Sequence, residues 1–305
     1  MPVKSLEYGL LGLLALAWGS SYLWIDLALQ SFPPVTLIAI RVGLAAAFLL
    51  AVIKLRGLKL PRDVRIWKAF ALQSVLNSTG PWLLLAWGQQ YVESAVASVL
   101  NSTSPLFVFV LSLLFVKGTE RPGLLKLGGA LLGFGGILLI VGPGALGHLG
   151  DELIPQAAIL LGAVLYGGAA LRGAKLAGNP PTVTAAGTLI CSSLVVIPLS
   201  LIVDRPWTLQ PAPEALFSVA ILGVVCTALA FLLYFRLLGT LGPMGAASQA
   251  YLRSGVGVFL GVMFLSEVLQ LATFAGICLA ISGVVLINWP GGKRTGQNLA
   301  GRKVA

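Results

Sequence analysis

The chain has 305 residues, 57% of them hydrophobic and only 10% charged, and its mean hydropathy is +0.95. This composition excludes a water-exposed surface and makes lipid the main solvent. A net charge of +10 would suit a nucleic-acid partner, but Lys and Arg fall between apolar runs and form no stripe, so no nucleic acid is expected.

A helix rising about 1.5 Å per residue needs about 20 mostly apolar residues to cross a hydrocarbon core of about 30 Å. Ten stretches qualify: span 1 at 8–30, span 2 at 35–55, span 3 at 66–90, span 4 at 94–116, span 5 at 122–142, span 6 at 153–172, span 7 at 182–203, span 8 at 214–237, span 9 at 243–265 and span 10 at 269–289. Span 1 follows a lone Lys4, is too long for a signal peptide and lacks an A-x-A cleavage pattern, so it is read as a retained helix. Turn chemistry separates the spans at Phe32-Pro33-Pro34, Glu120-Arg121-Pro122, Gly142-Pro143-Gly144, Asn179-Pro180-Pro181 and Gly242-Pro243. The connections are short, which predicts antiparallel neighbours and no separate soluble domain.

With the N-terminus inside, Lys4, the basic run Lys54, Arg56, Lys59, Arg62, Arg65 and Lys68, then Lys117, Arg121, Lys126, Arg172, Lys175 and Arg236, and the tail Lys293, Arg294, Arg302 and Lys303 all fall on one side. The other side holds Arg205 with Glu93, Asp151, Glu152, Asp204, Glu214 and Glu267. Because cytoplasmic loops collect Lys and Arg, a multi-pass protein of the plasma (inner) membrane with both termini cytoplasmic is predicted.

Self-comparison reveals a repeat. Ser98-Val99-Leu100-Asn101-Ser102 matches Ala250-Tyr251-Leu252-Arg253-Ser254, and Leu106-Phe107 matches Val258-Phe259. Further on, Glu120 matches Glu267, Gly129 matches Gly276, Gly136 matches Gly283, and Ile137-Leu138-Leu139-Ile140 matches Val284-Val285-Leu286-Ile287; near the start of each half, Trp18-Gly19 aligns with Tyr166-Gly167. An odd number of spans per copy makes the second copy enter the membrane from the opposite side. The predicted fold is therefore all-α, ten transmembrane helices as two inverted five-helix repeats: an N-terminal repeat over 1–148, an inverted C-terminal repeat over 149–292 and a basic cytoplasmic tail over 293–305. Inverted repeats place a site near the midplane between the halves and favour a carrier over a channel or an enzyme.

The order and doubling of four features resemble the EamA-type branch of the drug/metabolite transporter superfamily. These are Trp18-Gly19-Ser20-Ser21 in span 1, an Ala-rich span 4 leading into Pro105, acidic residues after spans 4 and 9, and Gly-spaced spans 5 and 10. The resemblance covers nearly the whole chain and implies a ten-helix, basket-like carrier. Many members export amino acids or related metabolites, and the chain is most similar to the aromatic amino-acid exporters. In one departure, the repeat mate of Pro105 is Gly257, so span 9 is expected to bend differently.

Arg253 lies near the middle of span 9, where a charge costs about 2.5–3.5 kcal/mol unless solvated or paired. It is expected to face a wet cavity, either receiving a substrate carboxylate through its fork or clamping backbone carbonyls at Ser254-Gly255. Asp26 and Arg41 flank the Ser31-to-Pro34 turn and are expected to form a structural or gating salt bridge; Asp26 as a proton-coupling site is the lesser reading, and no carboxylate lies securely at midplane. Candidate cavity walls are Ser21 with its neighbour Ser20, Asn77, Ser78 and Thr79 before Pro81, Asn101 to Ser104 before Pro105, and Ser248, Gln249 and Tyr251. The alternative for these polar residues is helix–helix hydrogen bonding. Trp18, Trp82 and Tyr166 are candidate stacking walls, whereas Trp24 and Trp87 suit interfacial anchors. Gly128, Gly129, Gly133, Gly136, Gly276 and Gly283 make spans 5 and 10 scaffold or dimer contacts.

Other motifs carry nothing. Cys191, Cys226, Cys278 and His148 are scattered, so no metal site is predicted. Gly142-Pro143-Gly144-Ala145-Leu146-Gly147 fits G-x-G-x-x-G without the strand-to-helix context, and no P-loop or cofactor motif is present. The expected protein is a secondary transporter, not an enzyme. It would export small metabolites, with aromatic or apolar amino acids preferred, by alternating access through a cavity framed by spans 1, 3, 4, 6, 8 and 9. Export of other metabolites or drugs, with or without proton coupling, is the alternative, and a channel or membrane-embedded enzyme is disfavoured. The expected partners are the solute and lipid, with the protein a monomer or weak homodimer.

Overall fold

Proline in the first helical turn opens span 2 (Pro34–Leu55), span 7 (Pro181–Val203) and the first segment of span 8 (Pro213–Gly223). Its missing N–H falls where a helix leaves donors unsatisfied anyway, and its fixed φ suits the turn. The computed structural model describes residues 2–92, 94–116, 122–142, 147–256 and 271–289, and the regular structure within them is helical. Span 1 runs over Pro2–Leu29, span 5 over Leu124–Val141, span 6 over Leu153–Lys175 and span 10 over Leu271–Asn288.

Among the described residues, 8 helices are long and apolar enough to cross a membrane. Two more spans complete the predicted order. Span 3 is a continuous run of Val64–Ser74, Val75–Thr79 and Gly80–Gly88, and its polarity comes from Gln73, Ser74, Asn77, Ser78 and Thr79, all buried. Asp63 caps its start by accepting from Arg65 N at 2.8 Å. Span 9 is Gly242–Ala247 followed by helical residues 249–256, and the expected bend at Gly257 lies outside the described residues. Within them span 9 is interrupted at Ser248, whose hydroxyl donates to Gly245 O at 2.7 Å and accepts from Asn288 Nδ2 at 3.1 Å.

Most helix limits fall close to their predicted positions. Span 1 differs: it begins at Pro2, well before the predicted start at residue 8. The reason is Glu7, buried at 3% exposure, whose carboxylate accepts from Arg236 and from Thr240 of span 8 and so ties this end of span 1 to span 8.

Contacts between repeat mates define the architecture. Spans 5 and 10 make the most extensive helix pair. A Cβ at Gly136 would lie 2.5 Å from Gly276 O and one at Gly276 would lie 2.6 Å from Gly136 O; Gly129 and Gly283 reciprocate in the same way at 2.8 and 2.6 Å. Since Gly129 matches Gly276 and Gly136 matches Gly283, the exchange is what a two-fold relation between inverted copies requires. It also gives Gly129, Gly133, Gly136, Gly276 and Gly283 their use, which is backbone approach within the chain, whereas Gly128, expected to join them, has nothing within 4 Å. Spans 2 and 7, another pair of mates, pack along their length, and at one end Asp204 Oδ2 accepts from Thr36 N at 2.7 Å and from Thr36 Oγ1 at 2.8 Å. Span 1 packs on span 8, while span 6 packs on spans 3 and 4, so the halves interlock.

Spans 3 and 8 share a rarer feature. Span 8 continues from Pro213–Gly223 through a π-helical segment, Val224–Leu229, into Ala230–Thr240, and span 3 carries its own π-helical segment at Val75–Thr79. In both, the segment ends just before an aromatic residue, Trp82 or Phe231, and each wide turn leaves backbone groups free for other partners.

Candidate functional site

Those two π-helical segments flank a cavity of ≈250 Å³. It is lined from span 1 by Trp18 and Ser21, from span 2 by Leu37, Ile38 and Arg41, from span 3 by Asn77 and Trp82, and from span 4 by Ser98, Asn101 and Ser104. Tyr166 and Ala170 of span 6, Phe231 and Tyr234 of span 8, and Gln249, Ala250 and Arg253 of span 9 complete it. Leu29, Pro34, Gln89 and Gln90 carry its described lining out to the end of the bundle where the 30–33 and 89–92 segments lie.

Aromatic packing closes the other end. Trp18 lies 5.4 Å from Tyr234 and 6.3 Å from Phe231, Trp82 lies 6.0 Å from Phe231, and Phe235 packs behind Phe231 and Tyr234. Trp18 Nε1 donates to Cys226 O at 3.0 Å, a carbonyl of the π-helical segment of span 8. Beyond the aromatic layer, Glu7 joins span 1 to span 8 through Arg236 Nη2 at 2.8 Å and Thr240 Oγ1 at 2.9 Å. Tyr8 Oη also ties span 1 to span 10 by donating to Asn288 O at 3.1 Å.

Arg41 dominates the electrostatics. It is 7% exposed, its Nε donates to Thr227 Oγ1 at 2.6 Å, its Nη2 donates to Cys226 O at 3.4 Å, and its guanidinium lies 4.3 Å from the Trp82 ring centroid. All of these partners are neutral, and the remaining N–H groups of the fork have no partner among the described residues. A guanidinium held this way in a buried wall is a preformed donor site for an anionic group. The predicted Asp26–Arg41 pair lies outside the described residues, because the Asp26 side chain is not among them. Arg41 itself reaches across to the span 8 π-helical segment and into the cavity, a position that proximity to the Pro33-Pro34 turn did not suggest.

Of the other predicted residues, Trp18, Ser21, Asn77, Trp82, Asn101, Tyr166, Gln249 and Arg253 come together at the cavity. Tyr251 and Thr79 do not. Tyr251 is fully buried on the opposite face of span 9, against Gly133, with its hydroxyl donating to Ala130 O at 2.9 Å, so it tightens the seam with span 5. Thr79 turns toward span 7, where its hydroxyl shares a 2.9 Å hydrogen bond with Ser192. Pro105 is buried in the first turn of Ser104–Phe115, just past the Ser102-Thr103 interruption of span 4. Ser21 lines the wall while its hydroxyl donates to Trp18 O at 2.7 Å.

Sequence reasoning missed span 2 as a wall, along with Phe231 and Tyr234. One signal was available: Phe231 and Tyr234 are aromatic residues inside an apolar run, as Trp18 and Trp82 are. Among the described lining residues there is no acidic side chain, so the wall combines two arginines, amides, hydroxyls and aromatic rings.

Known proteins share the fold and the sequence pattern of this chain. A solved structure described as "Crystal structure of protein" superposes with a TM-score of 0.77 at 19% identity, covering 91% of this chain and 94% of that one, which shows the fold. The chain is similar to the uncharacterized inner membrane transporter YedA of Escherichia coli K12, 26% identical over 280 residues, covering 92% of this chain and 90% of that protein. It is also similar to the uncharacterized transporter YvbV of Bacillus subtilis, 25% identical over 284 residues with 92% and 90% covered, and to an uncharacterized transporter of Archaeoglobus fulgidus, 28% identical over 291 residues with 93% and 98% covered. The sequence pattern of the EamA-like transporter family matches twice, at residues 6–142 and 154–289. With one copy of that pattern in each half, and a cavity between halves that interlock as inverted mates, the chain is a membrane-embedded, multi-pass member of the EamA-like transporter family.

Proposed function

We propose that this transporter is a secondary carrier for amino acids, with aromatic and other apolar ones preferred, and that it works by alternating access. The observation that carries the reading is Arg41: a buried guanidinium in the cavity wall, held by neutral partners and stacked on Trp82, is suited to a carboxylate. Arg253 adds a second cation to the wall and Asn77 a buried amide nitrogen without a partner among the described residues. Trp18, Phe231 and Tyr234 offer an apolar floor for the side chain of the cargo. Cationic drugs suit a wall with two arginines poorly.

The basic-residue asymmetry supports cytoplasmic termini in an inner membrane. In that orientation the end of the bundle that the cavity lining reaches is its mouth and faces outward, and Glu7 with the aromatic layer is the inner closure. Export then requires the inner closure to open while the mouth shuts. The close approach of spans 5 and 10 is internal, which favours a monomer.

Counterflow in proteoliposomes tests the reading. Vesicles loaded with unlabelled phenylalanine are expected to take up labelled phenylalanine several-fold faster than protein-free vesicles, and loads of leucine or tyrosine are expected to accelerate uptake too. Equal rates with and without every amino-acid load would refute amino-acid cargo and leave the family assignment untouched.

A further inference from the structure

Asn101 and Gln249 line the cavity, and their buried side-chain oxygens, Oδ1 and Oε1, have no hydrogen-bond partner among the described residues. Their residues are 5% and 7% exposed. A buried amide oxygen without a donor is costly, and such groups persist where something else supplies the donor. The two residues sit on spans 4 and 9, equivalent spans of the two repeats.

The repeat makes the comparison sharper. Asn101 matches Arg253, and Ala97 matches Gln249. The same turn of the equivalent span thus carries a neutral amide in one half and a cation in the other. Twofold symmetry is broken in charge at this turn. Arg41, on span 2, gives the N-terminal half a cation of its own, and with Pro33-Pro34 set against Pro180-Pro181 its counterpart on span 7 is the neutral Thr188. Cations and neutral acceptors thus stand together in one wall, a combination that suits a dipolar cargo.

We infer that Asn101 and Gln249 are specificity residues that accept hydrogen bonds from the ammonium group of the cargo, so that the cavity selects a zwitterion over a plain monocarboxylate. The inference rests on the amino-acid reading above. Its chemistry is neutral acceptor to cationic donor, a charge-assisted hydrogen bond in a wall whose described lining residues include no carboxylate. The ammonium gains hydrogen bonds to two buried acceptors that a cargo lacking it leaves unpaired, and sites built to hydrogen-bond a group discriminate strongly against analogues without it.

The test uses full-length protein in proteoliposomes, with labelled phenylalanine exchange competed by unlabelled phenylalanine or by 3-phenylpropionate, the same molecule without its amino group. Direct uptake of labelled 3-phenylpropionate is measured in parallel. The wild-type protein is expected to prefer phenylalanine by about tenfold or more. In Asn101→Leu and Gln249→Met, near-isosteric changes that remove the acceptors, the preference is expected to fall to within about threefold, with 3-phenylpropionate handling retained. Asn101→Asp keeps an acceptor oxygen and is expected to keep the preference.

An unchanged preference in both variants, with amino-acid exchange intact, overturns the inference and leaves the amino-acid reading standing. Loss of both solutes in both variants also overturns it, since a group that reads only the ammonium is dispensable for a cargo without one. Wild-type protein that exchanges neither solute nor any other amino acid overturns the amino-acid reading itself, and the inference with it.

Discussion

Arg41 shows how one residue acquires its role from distant partners. Its neighbours in sequence are apolar, and its polar contacts come from Thr227 and Cys226, in the wide turn of span 8. Lysine at this position keeps the charge but loses both the planar fork and the stack on Trp82. Arg41→Lys is therefore expected to raise the concentration for half-maximal exchange by about tenfold while the thermal unfolding midpoint in detergent shifts little. A large fall in the midpoint with unchanged half-saturation would mean that Arg41 serves the packing of spans 2 and 8 alone. Several cavity residues, Trp18, Asn77, Asn101 and Arg253 among them, were legible from sequence as polar, cationic or aromatic side chains inside apolar runs. Tyr251 was read the same way, yet it faces span 5, because helical phase decides which side of a span a residue occupies and the partner helix decides what that side meets.

At the scale of elements, the seam between spans 5 and 10 has no slack. A side chain at Gly136 would meet backbone atoms of Gly276 and Ala280, which cannot rotate away. Gly136→Leu is expected to cost about 1–3 kcal/mol or to prevent folding, read as a lower thermal midpoint or loss of monodisperse protein. Gly135, one residue away, has nothing within 4 Å, and Gly135→Ala is expected to leave the midpoint unchanged or slightly higher. Equal effects at both positions would argue against the seam. The spacing of these glycines pointed to close backbone approach, but two readings, scaffold or dimer, were open until the reciprocal contacts within one chain were seen. The π-helical turns of spans 3 and 8 had no sequence signature that local propensity could reveal, since they depend on which neighbours accept the freed backbone groups.

For the whole molecule, the distinction between the two ends of the cavity is a matter of which contacts are closed. Glu7 is deeply buried while its partner Arg236 is 45% exposed, so the pair joins the bundle interior to its surface. With Cys191, Cys226 and Cys278 replaced by serine, a cysteine introduced by Leu11→Cys, one turn along span 1, is expected to react slowly with a thiol reagent. Adding Glu7→Gln is expected to speed that reaction roughly tenfold by weakening the closure. An unchanged rate would assign the closure to the aromatic layer of Trp18, Phe231, Tyr234 and Phe235.

Hydropathy and internal repetition by themselves determined that the chain spans a membrane about ten times, and that its halves are inverted copies. These are properties of runs of residues: lipid demands long apolar helices with satisfied backbones, and an odd repeat must invert. The tertiary structure alone decided that span 2 joins the cavity wall, that Arg41 rests on Trp82 and Thr227, that Tyr251 faces span 5 and that the cavity lining reaches one end of the bundle. Each depends on rotation of one helix about its axis relative to another. Nearly uniform apolar faces leave that rotation unspecified in sequence, and it is set by packing and by the few buried polar groups that must find partners.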